Sequence, residues 1–520
     1  MNDQTNHSNT QLKRPSVDVR SSAWHDYWQA LGQSWRTEPE IDAERQKFLA
    51  DRLSITPSIE YGTYPFKDIK INRADVEWLL ATYENERDPV DLSGEQHDHN
   101  GLDLRGADLR MLDLSNLPLA FMRGGLRQDE WTDATPNQRS MATVHLDQAS
   151  LYMASLEGAS FRGAHLEQAD IRKARLTEID LHEAHLEQAF LQEAFLEKAD
   201  VSMAYLTHAS LHKANLKEIQ AINIDLEGAN LEGANLSMSN LTTANLKKAH
   251  LYRTDLQGTN LQRAHLEETN LCEVYLDGAN LRGGYLQGAN LSNAYLANAN
   301  LKGAFFDTAT NLEGVKLSNE KFDSISLADV HWGEVNLSVV DWSQIKVLGD
   351  ELVAWQRKTR YGEIKERAMR IEQYQTAVRA NRQLALALRD QGLSEEAARF
   401  SYRAQKLQCV VLLRQKKLQP YAFSKFLDLI AGYGYRPWRI IQWYLILIFG
   451  FAIVYYELGH LSLFDALIFS FSSFLGRGFL PSLAFSLHNP IVVLAVFEAI
   501  LGLFIEVTFI AIFTRRFLER

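Results

Sequence analysis

The sequence is poor in cysteine: Cys272 and Cys409 are the only two among 520 residues. Two cysteines exclude a disulfide framework and fit a reducing compartment. An excess of basic residues is also missing, with 54 Lys and Arg against 65 Asp and Glu and a formal charge of −11. That balance argues against general nucleic-acid binding, which needs basic surface to displace counterions. No apolar run opens the chain. Its first twenty residues, "MNDQTNHSNTQLKRPSVDVR", read as a disordered tail (1–20) and not as a secretory leader. No nucleophile elbow, phosphate-binding loop or zinc-protease motif occurs, so neither an enzyme activity nor a cofactor is expected. His182 and His185 have no Cys or carboxylate cluster at ligand spacing along the chain, so no metal is expected. The length itself predicts several domains.

What is present is a step of five. From Leu146 the chain reads "LDQAS LYMAS LEGAS FRGAH LEQAD IRKAR" and continues to residue 306. Of 33 central positions, 28 are Leu; the exceptions are Phe161, Ile171, Val201, Ala221 and Phe306. A small residue, mostly Ala, stands two places before most centres. Neither a helix nor a flat strand has this period. A solenoid does, if each pentapeptide forms one side of a coil and stacks on its equivalent in the next. The leucines must point inward, because a surface of 28 leucines would be an extreme apolar patch. The Ala points inward beside them, and the other three positions face water.

"ANLEGANLSMSNLTTANLKKA" (229–249) resembles the pentapeptide-repeat family, whose pattern is A-(D/N)-L-x-x. The resemblance implies a right-handed quadrilateral β-helix with four pentapeptides per coil. Eight coils would make a rod ~40 Å long. The solenoid is expected over 101–345, with a weaker first stretch at 101–119 and an inserted loop at about 120–145. After Phe306 the register slips by one, and Trp332 and Trp342 at inward positions predict a wider, capping final coil. Some members of the family mimic DNA and protect topoisomerases, which requires a dense acidic surface. Residues 146–306 carry 20 Asp and Glu against 13 Lys and Arg, with the signs mixed. A solvated face is therefore the favoured reading, with a cytosolic protein as its partner and no nucleic acid.

Flanking segments read as helical. Residues 21–100 hold Trp24, Trp28, Trp35 and Trp78, which suit a cap over the open solenoid end. Residues 346–417 predict a cytosolic helical hairpin of tetratricopeptide type, with Gly392 ending its first helix and Ser394 capping its second. A juxtamembrane linker (418–439) follows.

The end of the chain, 440–520, reads as a two-span membrane domain. Ile440–Tyr456 and Pro490–Phe513 are each apolar enough to cross a hydrocarbon core. Arg436 and Arg439 before the first, and Arg515, Arg516 and Arg520 after the second, place both termini in the cytoplasm of an inner-membrane, multi-pass protein. Between the spans lies a short apolar helix with Ser462 and Asp465 as its capping box. That helix is too short to span and predicts a re-entrant segment.

The order of span, short helix, glycine loop and span resembles the two-span potassium-channel family. The matching residues are "ALIFSF" (466–471), "LGRGF" (475–479) and "EAILGLFIEVTFIAIFTRR" (498–516). The stretch "GYGYRPWR" (432–439) resembles the lead-in of pentapeptide proteins that carry such domains. The resemblance implies a homotetramer around a pore that passes an inorganic ion. Leu475, Gly476, Arg477, Gly478 and Phe479 would form its constriction, and membrane lipid is an expected partner of the domain. Two departures argue against potassium selectivity: Phe474 and Leu475 stand where the family has a Thr pair, and Arg477 replaces its aromatic residue. Glu498, Gly502 and Glu506 lie on one helix face. The two glutamates are expected on the pore wall, since lipid-facing carboxylates are costly, and Gly502 is expected as the hinge. The reading is therefore an ion channel regulated through its solenoid. The rivals are a membrane-anchored interaction scaffold with a degenerate pore and, less favoured, a DNA mimic.

Overall fold

The computed structural model describes residues 14–15, 21–85, 101–322, 324–359, 362–436, 438–459, 461–476 and 490–518. Apart from Arg14 and Pro15, the expected tail lies outside them. The chain divides into two compact units, 1–349 and 350–520.

The first unit is built on the step of five. The residue before each central Leu makes one parallel bridge to its equivalent 20 positions on, as in His145 to His165 and His165 to His185. Twenty residues per coil are four pentapeptides, so the cross-section has four sides. Between bridges the chain turns. The Ala149 N–H donates to the Leu146 carbonyl at 2.9 Å, and Gln148 between them sits at φ +58°. Left-handed backbone at the third position is the geometry of a type II turn. The sides are thus alternating turns and single bridges, not extended strands.

The inside is dry and nearly all aliphatic. No central residue from 146 to 306 is more than 5% exposed. Burying one leucine contributes about 2 kcal/mol, and the coils repeat that term. Where Thr replaces the inward Ala, its hydroxyl is satisfied by backbone: Thr254 Oγ1 donates to the Leu231 carbonyl, and Thr259 to that of Leu236, both at 2.8 Å. Asn or Asp at the bridge position accepts the N–H two residues on, as Asn230 Oδ1 does from Glu232 at 3.0 Å. This is the physical reason for the A-(D/N)-L pattern.

Near the start, bridges join Asp108 to His145 and Arg123 to Ser160, a step of 37 instead of 20. The additional residues form two short helices, α4 (Gln128–Asp133) and α5 (Pro136–Ala142). Trp131, Ala134 and Ala142 pack with Tyr64 and Leu126 beneath them.

The N-terminal segment contains α1 (Ser21–Ala30), α2 (Ala43–Leu53) and α3 (Arg73–Asn85). Residues 86–100 lie outside the described residues. Trp24 and Trp28 fill the core of this segment, while Trp35 and Trp78 are half-buried. The buried Glu77 accepts from the N–H groups of Thr37 and Glu38 and from Arg73 Nε. Arg73 also donates to the carbonyls of Asp113 and Ser115, both at 3.1 Å, and Lys70 bridges to Asp108. These contacts occupy backbone groups on the first coil that would otherwise be an open edge.

At the other end the coil loosens. The bridges from Asn290 to Asn311 and from Tyr295 to Lys316 step by 21, and that from Phe305 to His331 by 26. Trp332 stacks on Phe306 and meets Trp342 edge to face. Among these side chains remains an apolar cavity of about 30 Å³.

The second unit is helical. After α6 (Gly349–Trp355), α7 (Arg367–Asp390) and α8 (Ser394–Arg414) pair as a hairpin. Glu351, 2% exposed, receives Arg403 Nε and Nη2 at 3.0 and 2.9 Å and Asn381 Nδ2 at 3.1 Å, which locks α6 to both arms. Ser394 does not cap α8. Gly392 at φ +80° reverses the chain, Leu393 takes the cap position, and Ser394 is already helical with its hydroxyl turned back to the Gly392 carbonyl. Most of the expected linker at 418–439 is helix α9 (Leu418–Ala431). Its apolar residues recur at helical spacing, and Ile430 and Ala431 are buried in the same core as Ile440 and Ile448.

Candidate functional site

Three apolar helices close the chain: α10 (Trp438–Gly459), α11 (Leu463–Phe474) and α12 (Pro490–Leu518). α10 and the stretch Pro490–Ile510 of α12 are long and apolar enough to cross a membrane. α11 has 12 residues and is too short to do so.

The contacts fix how the three run. Ser470 on α11 meets Glu498 on α12, and four residues later the Phe474 carbonyl meets Gly502. Equal steps in the same direction mean that α11 and α12 run parallel from the same level. α10 runs against them, with Tyr455 packed on Phe469 and Tyr444 on Phe474 at the far end of α11. Gly502 is twelve residues into α12, which is about 18 Å along its axis. α11 therefore starts level with the beginning of α12 and ends halfway down it.

Ser462 caps α11. Its hydroxyl accepts the Asp465 N–H at 3.1 Å and donates to Asp465 Oδ2 at 2.7 Å. This satisfies a helix end where four N–H groups lack partners.

Glu498 is fully buried within the single chain, and the pore-wall expectation for it is corrected. Tyr455 Oη donates to its Oε2 at 2.8 Å and Ser470 Oγ donates to its Oε1. A carboxylate among apolar helices is tolerated only if its lone pairs are used, and here one hydroxyl from each neighbouring helix uses them. Glu498 is thus the joint of the three helices. Glu506, two turns on, is exposed. Gly502 is buried, and a Cβ there would lie 2.1 Å from the Phe474 carbonyl oxygen. That separation requires glycine for close approach, so Gly502, expected as the hinge, is a tight packing contact with the end of α11.

Of the expected constriction, Leu475 is half-buried and Gly476 exposed at φ +66°. Arg477, Gly478 and Phe479 lie outside the described residues. Ser473, next to the end of α11, is buried with a hydroxyl that has no hydrogen-bond partner among the described residues. The outer faces of α10 and α12 are greasy: Ile446, Phe449, Ile453, Ile500, Leu503 and Val507 are each more than half exposed. Arg436, before α10, lies 5.0 Å over the Tyr402 ring, and Arg439, in the first turn of α10, donates to the Asp428 carbonyl.

Tyr455 and Ser470 were not singled out from the sequence. They lie 43 and 28 residues from Glu498, and the signal available was only that a buried acid needs donors.

Comparison with known proteins identifies the repeating segment. Residues 144–178, 179–219, 209–247, 224–263, 249–288, 275–310 and 285–319 match the family model for pentapeptide repeats. Pentapeptide repeats imply a right-handed β-helix. No curated protein matches the chain. Among solved structures, HetL, a pentapeptide repeat protein involved in heterocyst differentiation regulation from the cyanobacterium Nostoc sp. strain PCC 7120, is 25% identical. The match covers 51% of this chain and 99% of that one, with a TM-score of 0.22. A pentapeptide repeat protein from the Arabidopsis thaliana thylakoid lumen is 20% identical over 29% of this chain and 88% of its own, with a TM-score of 0.19. QnrB1, a plasmid-mediated fluoroquinolone resistance protein, is 17% identical over 40% and 89%, with a TM-score of 0.20.

Proposed function

Residues 144–319 of this chain are pentapeptide repeats, and we propose that the chain is a subunit of an oligomeric ion channel whose repeat solenoid regulates a membrane pore. The observation that carries this reading is the depth of α11. If α12 crosses a bilayer, a capped helix that begins level with Pro490 and ends at Gly502 stops near the middle of the hydrocarbon, whose half-thickness is ~15 Å. Backbone that ends there must be buried in protein or face water. The C-terminal end of α11 carries partial negative charge into that space, which favours a cation. Copies of the chain, four by the channel resemblance, would surround a wet axis, with the stretch from Leu475 to Phe479 as its narrowest part and Glu506 facing it. Lipid covers the outer apolar faces, both termini are cytoplasmic, and a cytosolic protein on the solenoid supplies the regulatory signal through the helices of 350–417.

Purified protein in planar bilayers tests the reading. Ion currents are expected, with a mass in detergent that is a multiple of the subunit's. Arg477→Tyr is expected to change conductance or selectivity. Absence of current at every voltage and pH, together with a monomeric mass, would sink the idea.

One observation favours a second reading. Glu498 is satisfied within a single subunit, so the three helices also suffice as a membrane anchor for an interaction scaffold. In that case Arg477→Tyr leaves every property unchanged except local labelling.

A further inference from the structure

Coil stacking places residues 20 apart directly over one another, and this assembles a constellation on the solenoid that no run of neighbouring residues contains. Glu167 and Glu187 share one column of the surface. His165 and His185 share the adjacent column, their rings stacked at 4.9 Å. His185 Nδ1 lies 3.3 Å from Glu187 Oε1, and one donor atom each from Glu167, His185 and Glu187 fall within 4.8 Å of one another. One coil earlier, Asp147, His165 and Glu167 repeat the arrangement and share Glu167.

Two further observations point to a cation. First, each carboxylate uses one oxygen on a histidine, and its Oε2 is shielded from solvent with no hydrogen-bond partner among the described residues, as is Glu267 Oε2 in the place where Lys247 stands beside it. Second, the same column treats its charges differently elsewhere. Further along, Lys247 stands between Glu227 and Glu267 and approaches Glu267 Oε1 at 3.4 Å. At the top, Arg110 stacks beyond Asp147, though its guanidinium is held by Asp108 at 2.8 Å. Below Glu187 the column continues with Thr207. The Glu167–Glu187 pair therefore has no lysine or arginine interleaved, although like charges stacked directly in register repel.

We propose that Glu167, His185 and Glu187 bind one divalent first-row transition cation, which supplies the charge that Lys247 supplies farther along. Two carboxylate oxygens and one imidazole nitrogen suit Zn²⁺, Co²⁺ or Mn²⁺ better than soft monovalent metals. Bonds of about 2.1 Å would draw the donors together and complete the shell with water. The three side chains are each about one-third exposed, which leaves an entry path and freedom to rotate.

The probe is Co²⁺ added to the full chain in detergent, read by calorimetry and by the visible absorption of the bound ion. Wild type is expected to take up Co²⁺, and Zn²⁺ is expected to displace it. Glu167→Gln and His185→Gln each weaken uptake by roughly tenfold or more. Glu227→Gln, in the same column beside Lys247, leaves it unchanged. Circular dichroism identical to wild type certifies each variant as folded; these surface positions allow it. No uptake by wild type above the buffer blank overturns the proposal, as does wild-type uptake by folded Glu167→Gln. Neither result bears on ion flux through the pore.

Discussion

The solenoid and the three-helix unit solve burial in opposite ways. In the solenoid most backbone polar groups find their partners by repetition, because residue n meets residue n + 20 and the turn closes three residues along. In the C-terminal unit nothing repeats. A single carboxylate, Glu498, is held by one hydroxyl from each neighbouring helix, and a single glycine, Gly502, lets a carbonyl approach. A repeating structure spreads its stability over many equal contributions, whereas the helical unit concentrates it in a few particular contacts. The two should therefore fail differently.

The largest effect is expected in the solenoid core. Leu251→Ala removes a fully buried side chain whose coil cannot collapse around the gap, because the neighbouring coils hold the backbone apart. The cost should be about 3 kcal/mol, read from the denaturant midpoint. The damage should stay near coils that contain 231, 251 and 271, as the nearest-neighbour character of a solenoid requires. A transition of α10–α12 in the same sample should not move. If both transitions shift together, the contrast drawn between the two regions is wrong.

Glu498→Leu comes next. It leaves the Tyr455 hydroxyl buried without its acceptor, while Ser470 keeps the Ile448 carbonyl, at about 2 kcal/mol in all. Thermal unfolding in detergent should fall accordingly. Glu498→Gln keeps the shape and one acceptor and should recover most of the loss. A lumen-facing glutamate would behave otherwise, with Glu498→Leu affecting conductance and leaving stability alone. Gly502→Ala is expected to cost about 1–2 kcal/mol, since its Cβ displaces the end of α11.

How much of this was legible follows the same divide. The step of five, its inward Leu and Ala, and the insertion before residue 146 are local patterns and can be read along the chain. The left-handed turn position was visible only as scattered glycines, because Gln, Glu, Lys and Met occupy it as often. The acid–histidine columns were not legible: Glu167, His185 and Glu187 are 18 and 20 residues apart, and ligand spacing is ordinarily sought within a few. In the C-terminal unit, helix lengths and the Ser462 cap were evident from composition. The direction in which Glu498 points was not, because one helical face carries Glu498 and Glu506 alike and only packing separates the buried one from the exposed one. α9 was missed because a short amphipathic helix beside charged residues reads as a linker.

The turn position gives a smaller effect of opposite sign. Thr243 is β-branched and sits at φ +59°, where glycine is unstrained. Thr243→Gly loses a hydrogen bond to Asn223 at the surface and relieves the strain. The net gain should be about 0.5–1 kcal/mol in the denaturant midpoint.

The smallest effect separates one charge from the many. The Arg110 guanidinium beside Asp108 holds its carboxyl down at about 2, below its ordinary range. A carboxyl lowered by folding stabilises the native state above its unfolded value and loses that contribution as pH falls towards 2. Comparison of wild type with Asp108→Asn should therefore give a stability difference that is present at pH 5 and shrinks steadily between pH 4 and pH 2. Solvent screens this exposed pair, so the difference should be less than the Thr243 gain. A difference that persists unchanged at pH 2 would mean that Asp108 acts through its backbone cap to Arg110 and not through its charge, and the stacked ion pairs would then contribute nothing to how the first coil is held.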